Sequence, residues 1–360
     1  MSLIRLLPSH LVDQIAAGEV IERPASALKE LVENALDAGA TQIIIDITDG
    51  GVSSVSVRDN GCGMNLEELS LAVKRHATSK LPGANLFEIK SFGFRGEALP
   101  SIAAVSDLEI SSRTKKLKHG WKIRIEHGYI YAPEPVACAV GTNVSAKDLF
   151  DKIPARRKFL KTRRTEAGQC LEVVKQLAQA TPDVSFIFTD TGKTLLNLPS
   201  RTDKSSAIRH RLSDVMGHVF AKEAVMLDAQ KDGCSVSGLM GLPTMNRPTT
   251  QYMNVFVNQR PIKDKQLTGV VRAAYSDTLP KGRYPVIVLF ISVSLENVDV
   301  NVHPAKSEVR FSNPSAIRSL IVGSIQSALR ESGIYATAEG AQNMLNRLSF
   351  GVRGINSGRT

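Results

Sequence analysis

The chain has 360 residues, 42% of them hydrophobic and 22% charged, a mass of 39.0 kDa and a formal charge of +10. That length suits two domains of ordinary size, and no stretch approaches the roughly 18 apolar residues of a membrane span. No apolar leader with a small-residue cleavage site opens the sequence, so a cytoplasmic protein with no membrane partner is expected. Cys62, Cys138, Cys170 and Cys234 stand far apart without a CxxC pair, which excludes a zinc ribbon and argues against a disulfide framework. Charge is uneven: residues 1–100 carry a net −4 and residues 101–360 a net +14. Residues 152–164 hold seven Lys/Arg and no acid. Such asymmetry suits a protein of which one part does chemistry and another meets a polyanion. Arg156, Arg157 and Lys158 are candidates for nucleic-acid phosphates on composition alone; an ordinary solvated helix face looks the same.

In chain order, residues 24–37 read as a helix, with Pro24 in the first turn and Gly39 just past the end. Leu28, Leu31, Val32 and Ala35 make its apolar stripe, and Glu30, Asn34 and Asp37 stand one turn apart on the other face. Two β-branched runs, 41–48 and 52–58, flank Asp49-Gly50-Gly51 and predict an antiparallel hairpin. A helix follows from about Asn65, then a loop around Pro82-Gly83, then a helix over 95–105. Strands are expected near 108–112, 121–126 and 142–146. Beyond 148 come the basic run, a helix over 166–179, strands at 184–189 and 194–198, a strand at 252–257, a helix over 265–275, a strand at 285–292 and a final helix over 314–330. The class is α+β, with a first domain over 1–150, a second over 151–335 and a tail or linker start over 336–360.

Familiar motifs fail. Asp190-Thr-Gly-Lys-Thr194 has Ile187 where a phosphate loop needs its first glycine, and it lies between two strands. Gly61-x-Gly63 is followed by Leu66 where a dinucleotide fingerprint needs glycine. The seven histidines show no HExxH, and no hydrolase triad is legible.

Three weaker features converge. Glu30 on a helix face suits polarising a water, and Asn34 one turn on offers an amide oxygen to a hard cation such as Mg²⁺. Asp59, closing a strand before Asn60-Gly61-Cys62-Gly63, suits accepting from an exocyclic amine of the adenine type, beside glycines that let a flat ring approach the backbone. Gly93-Phe94-Arg95-Gly96, ahead of Leu99, exposes backbone N–H groups at a helix start, the physical basis of phosphate binding. Each alone is ordinary.

In this order they resemble the GHKL ATPase superfamily, and within it the MutL family of DNA mismatch-repair proteins. The resemblance rests on QIAAGEV at 14–20, KELVENALDAGA at 29–40, DNGCG at 59–63, RHATSK at 75–80, GFRGEAL at 93–99, PARRKF at 154–159 and NVHPAK at 301–306, nearly the whole chain. It implies a GHKL α/β sandwich, a mostly antiparallel sheet with helices on one face, followed by a ribosomal-protein-like α/β transducer. It implies slow, Mg²⁺-dependent ATP hydrolysis, with Glu30 as general base, Asn34 as the metal ligand and Asp59 as reader of the adenine amine. Thr142 supports Asp59, and Gly63 belongs to the base pocket. Thr78, Ser79, Lys80 and 93–96 form the ATP lid, Leu99 is a further nucleotide-binding residue, and Lys306 reaches the γ-phosphate. The family pattern further implies ATP-driven homodimerisation involving residues 3–19, sequence-independent DNA binding with Arg272 as a contact, signalling to mismatch-recognition and downstream repair proteins, and a nucleoid location in a bacterium. Gln259 stands where relatives often carry Gly, a surface-turn change expected to be tolerated. Family members continue into a C-terminal dimerisation domain, so an N-terminal fragment is expected. Another GHKL enzyme, such as a type II topoisomerase subunit, and a DNA-binding scaffold without turnover are the rivals.

Overall fold

The computed structural model describes residues 17, 18, 20–80, 91–93, 95–126, 128–203, 206–300, 302 and 308–333. Two compact units emerge: residues 1–217 with 299–309, and residues 218–298 with 310–360.

In the first unit, helix α1 (Pro24–Asp37) starts at Pro24 after an extended Arg23 and buries Leu28, Leu31, Val32 and Ala35, the stripe read from the sequence. Strands β1 (Gln42–Thr48) and β2 (Ser54–Asp59) pair antiparallel, as their β-branched runs predict. Helix α2 (Leu66–Ala72) is opened by a reciprocal cap: the Glu68 amide donates to the Asn65 side chain (2.9 Å) and the Asn65 amide to Glu68 (2.8 Å). Helix α3 (Ala98–Ala103) is shorter than expected. Strands β3 (Asp107–Arg113), β4 (Gly120–Glu126), β5 (Tyr129–Ile130), β6 (Glu134–Val136) and β7 (Gly141–Lys147) follow, then α4 (Pro154–Lys158), α5 (Arg163–Ala180), β8 (Ser185–Asp190), β9 (Lys193–Leu198) and α6 (Ala207–Met216).

The sheet runs β5-β4-β3-β7-β2-β1-β8-β9, with β6 on β4. Its pairs are antiparallel except β1 with β8, which the α5 crossover makes parallel. Every second residue of β1 (Ile43, Ile45, Ile47), β2 (Val55, Val57) and β8 (Phe186, Phe188) is buried, against α1 and α5. The opposite face carries polar side chains such as Gln42 and Asp46, as one-sided burial requires. Between β8 and β9, Thr191 and Gly192 both take positive φ, 51° and 80°, a tight hairpin turn where the Gly-Lys-Thr string had mimicked a phosphate loop.

The main stretch of this unit runs to 217, well past the boundary expected at 150. The basic run is a change of surface and not of core: α5 packs on α1, and β8 extends the sheet beside β1. The fully buried Arg211 of α6 then donates to the carbonyls of Ala178 (3.0 Å), Pro182 (2.9 Å), Val184 (2.7 Å) and Pro199 (2.9 Å), tying α6 to the same body.

The second unit contains α7 (His218–Glu223) and β10 (Val225–Lys231), β11 (Cys234–Met240), β12 (Asn246–Arg247), β13 (Met253–Val257) and β14 (Arg260–Ile262). Helix α8 (Lys265–Ala274), β15 (Tyr284–Pro285), β16 (Ile287–Ser292) and α9 (Pro314–Glu331) complete its main elements. The sheet order is β10-β11-β16-β13-β14, with β13 and β16 parallel across the α8 connection and α9 against β10 and β11. Helices α6 and α7 and the β10–β11 hairpin are the longest elements that periodicity did not announce, beside the short α4, β5, β6, β12 and β14; β11 opens Cys-Ser-Val-Ser-Gly, and its apolar signal is confined to Val236 and the closing Leu239-Met240. Residues 336–360 lie outside the described residues.

Candidate functional site

A cavity of about 820 Å³ opens in the first unit over the polar face of α1. Its walls include Glu30, Asn34, Asp59, Gly63, Thr78, Ser79, Lys80, Gly93, Arg95, Gly96, Leu99 and Thr142. The fold thus gathers five separate stretches of sequence at one place. Phe94, Lys306 and residues 3–16 and 19 lie outside the described residues.

One end is built around Asp59, the last residue of β2. The Gly61 amide (2.8 Å) and the Thr142 amide (3.3 Å) both donate to its Oδ1. Burial pushes the Asp59 carboxyl above the usual range, partly offset by those two N–H donors. The following Asn60 turns away: its Oδ1 accepts from the amides of Thr41 (2.8 Å) and Gln42 (2.9 Å), pinning the turn to the start of β1. Gly141 holds φ +113°, and a Cβ there would run into the Asp59 carbonyl, so β7 approaches β2 closely only because that residue is glycine. Val57, Leu31 and Ala35 add apolar wall. A buried acceptor beside an apolar slot suits a flat base carrying an amine.

The other end is organised by Asp37, which the sequence placed on the face of Glu30 and Asn34 without assigning it a role. Its carboxylate accepts from Lys80 Nζ (2.6 Å), the Phe92 amide (2.8 Å) and the Gly93 amide (3.0 Å). Lys80 Nζ also donates to Asn34 Oδ1 (2.7 Å). Asp37 therefore fastens both the segment ending at Lys80 and the glycine-bearing segment at 91–93 to α1. The loops also touch each other, with the His76 amide donating to the Gly96 carbonyl (3.2 Å) and His76 Nδ1 3.6 Å from Glu97 Oε1. The signal for Asp37 was its i+3 spacing from Asn34; the partners that give it meaning are 43–56 residues away.

The ammonium of Lys80 bridging the oxygens of Asn34 and Asp37 shows that this pair accepts a cation. The donor set is hard oxygen, as Mg²⁺ requires. Among the described residues no group of three or more His, Cys, Asp or Glu gathers as a metal cage.

The basic residues separate. Arg156 turns inward, donating to the Ile21 carbonyl (3.1 Å) and lying 5.7 Å from the Phe150 ring centroid. Arg157 pairs with Asp151, and Lys158 is exposed. Arg272, on α8 of the second unit, is exposed with its guanidinium 4.9 Å from the Tyr284 ring centroid. No helix among the described residues is long and apolar enough to cross a membrane.

The sheet and its helices are those of a GHKL-type ATPase domain. Residues 21–132 match the family "Histidine kinase-, DNA gyrase B-, and HSP90-like ATPase", and residues 212–330 match "DNA mismatch repair protein, C-terminal domain". The DNA mismatch repair protein MutL of Paramagnetospirillum magneticum is 48% identical over 336 residues, 93% of this chain and 55% of that protein. MutL of Rhizobium etli is 48% identical over 350 residues, 97% of this chain and 57% of that protein. Among solved structures, the Aquifex aeolicus MutL ATPase domain complexed with ADP aligns with a TM-score of 0.60 and 29% identity, covering 84% of this chain and 98% of that one. The chain belongs to the MutL family of DNA mismatch-repair proteins, matching its N-terminal ATPase region. It spans about half the length of the curated relatives it matches.

Proposed function

We propose that this chain hydrolyses ATP slowly, with Mg²⁺, and uses nucleotide state to gate self-association and DNA binding in mismatch repair. The observation that carries the reading is that Glu30, Asn34, Asp59, Lys80 and Thr142 line one cavity. Glu30 takes the proton of the attacking water. Asn34 is the protein ligand of Mg²⁺, which when bound spreads the charge of the transferring phosphoryl group. Asp59 accepts from the base amine, while the backbone N–H of Gly96 and the charge of Lys80 face the phosphates, beside Gly93, whose own N–H is held by Asp37.

The ADP in the Aquifex aeolicus relative supports a nucleotide here. Arg272, exposed on a unit whose relatives are mismatch-repair proteins, and Lys158 serve as phosphate contacts for DNA. Arg156 is engaged by Ile21 and is better placed to hold the chain entering α1. Binding to backbone phosphates is sequence-independent and salt-sensitive. Homodimerisation on ATP binding and signalling to mismatch-recognition and downstream repair proteins complete the proposal.

The test is steady-state ATP hydrolysis and nucleotide binding by this chain beside Glu30→Ala. Slow turnover in the parent, with ATP bound but not hydrolysed by the variant, supports the assignment. Binding without turnover in both reduces the chain to a nucleotide-gated scaffold, and absence of binding refutes the site.

A further inference from the structure

The β12–β15 ribbon of the second unit gathers arginines from three stretches of the chain. Asn246 pairs with Pro285 and Arg247 with Tyr284 across this two-stranded ladder. The Asn246 carbonyl accepts from Arg247 Nη1 (3.0 Å) and from Arg283 Nη2 (3.3 Å), so two guanidiniums converge on one oxygen. Asn246 Oδ1 also accepts from Arg283 Nε, and Asn246 Nδ2 donates to the Pro243 carbonyl (2.8 Å), which fixes the amide that holds Arg283. Aromatic rings orient the rest. Arg247 Cζ lies 5.4 Å from the Tyr252 ring centroid, and Arg272, in the last turn of α8, stacks on Tyr284, the residue opposite Arg247.

Among the described residues no carboxylate forms an ion pair with Arg247, Arg272 or Arg283. The acids nearest along the chain are engaged elsewhere. Asp264 caps the start of α8, accepting from the Gln266 (2.6 Å) and Leu267 (3.0 Å) amides, and Asp277 accepts from the Ser276 hydroxyl (3.0 Å). All three arginines are exposed, and each keeps N–H donors facing water. Like charges held at one oxygen repel, and an anion bridging them turns the repulsion into attraction. A guanidinium fork meets phosphate oxygens with two parallel N–H donors, and a fork already oriented loses little freedom on binding. Three forks spread along one ribbon suit successive phosphates of a backbone.

We infer that Arg247 and Arg283, with Arg272 beside them, form a preorganised clamp for consecutive DNA backbone phosphates, and that Asn246 is the positioning residue that aligns it. This assignment rests on the DNA reading above.

The experiment follows a fluorescein-labelled DNA duplex by anisotropy across a salt series, with pyrophosphate binding measured alongside by calorimetry. The proteins are the 360-residue chain, Arg247→Gln, Arg283→Gln, Arg247→Lys/Arg283→Lys, Asn246→Ala and Asn246→Ala/Arg283→Gln. Lys231→Gln is the charge-matched control, because the exposed Lys231 pairs with the first residue of β11 while β12 follows its last. Thermal melts establish that each variant is folded. Arg247→Gln and Arg283→Gln should each weaken DNA binding about tenfold and flatten the slope of log affinity against log salt by about 1, with Lys231→Gln near the parent. The double lysine variant should keep the slope and still lose about fivefold, because charge without the fork is not enough. Asn246→Ala removes no charge, yet should weaken binding about threefold in the parent and not at all in Arg283→Gln. Losses no larger than that of Lys231→Gln, or an Asn246→Ala effect that persists in Arg283→Gln, overturn the clamp and leave the DNA reading standing. Pyrophosphate bound as tightly as the duplex, and lost in the same variants, assigns the cluster to a small anion and overturns it too. A parent chain that binds no DNA at any salt refutes the DNA reading itself, and the clamp with it.

Discussion

Asp37→Asn isolates the residue that fastens the loops to α1. The parent carboxylate, only 6% exposed, takes one charged and two neutral donors at 2.6–3.0 Å. Asparagine keeps the shape and one acceptor oxygen but loses the second oxygen and the charge facing Lys80. Breaking a well-buried ion pair from one side costs about 3–5 kcal/mol. The Lys80 side chain is 22% exposed, so water recovers part of that, and roughly 2 kcal/mol remains. That is about a 30-fold change in the equilibrium holding residues 91–93 against α1. Hydrogen exchange at the Phe92 and Gly93 amides reads the anchoring directly, and titration with ATP and with adenosine separates phosphate from base contributions. Protection at these two amides should fall by about that factor, with ATP binding weakened and adenosine binding nearly untouched. Unchanged exchange, or equal loss of ATP and adenosine binding, would refute the anchoring role.

Other perturbations probe the rest of the argument. Asp59→Asn preserves the acceptor for Gly61 and Thr142 while removing a buried charge. Because the folded carboxyl titrates above its unfolded value, the parent loses stability as pH rises through that window. The variant should therefore melt higher than the parent at neutral pH, lose that advantage in acid once the parent carboxyl is protonated, and fail to bind the base; no difference across the pH series would contradict the burial argument. Gln259 carries φ +67° beside Asn258 at +47° in the two-residue turn between β13 and β14, so Gln259→Gly should raise stability by about 1 kcal/mol in chemical denaturation. Arg211→Leu should cost at least about 3 kcal/mol by stranding buried carbonyls of the 178–199 region, a drop readable in the melting temperature. Arg272→Glu should weaken DNA binding and lower the slope of log affinity against log salt by about 1, with DNA-free ATP turnover retained; parallel loss of both activities would indicate misfolding.

Local pattern determined much of this protein. The i, i+3, i+4, i+7 stripe of α1, the β-branched runs of β1 and β2, the Asn65 cap and the positions of Glu30, Asn34 and Asp59 follow from side-chain periodicity and turn chemistry, which act over a few residues. Tertiary structure decided what depends on partners far along the chain. The domain boundary moved from 150 to 217 because β8 finds β1 and Arg211 finds carbonyls that no periodicity records. Arg156, one cation in a basic run, turned inward to a carbonyl 135 residues away. Asp37 and Arg283 look like an ordinary helix-face acid and an ordinary loop arginine. Each takes its role from groups that the sheet and the loops bring to it, because hydrogen bonds are specified by distance in space and a sequence lists only distance along the chain.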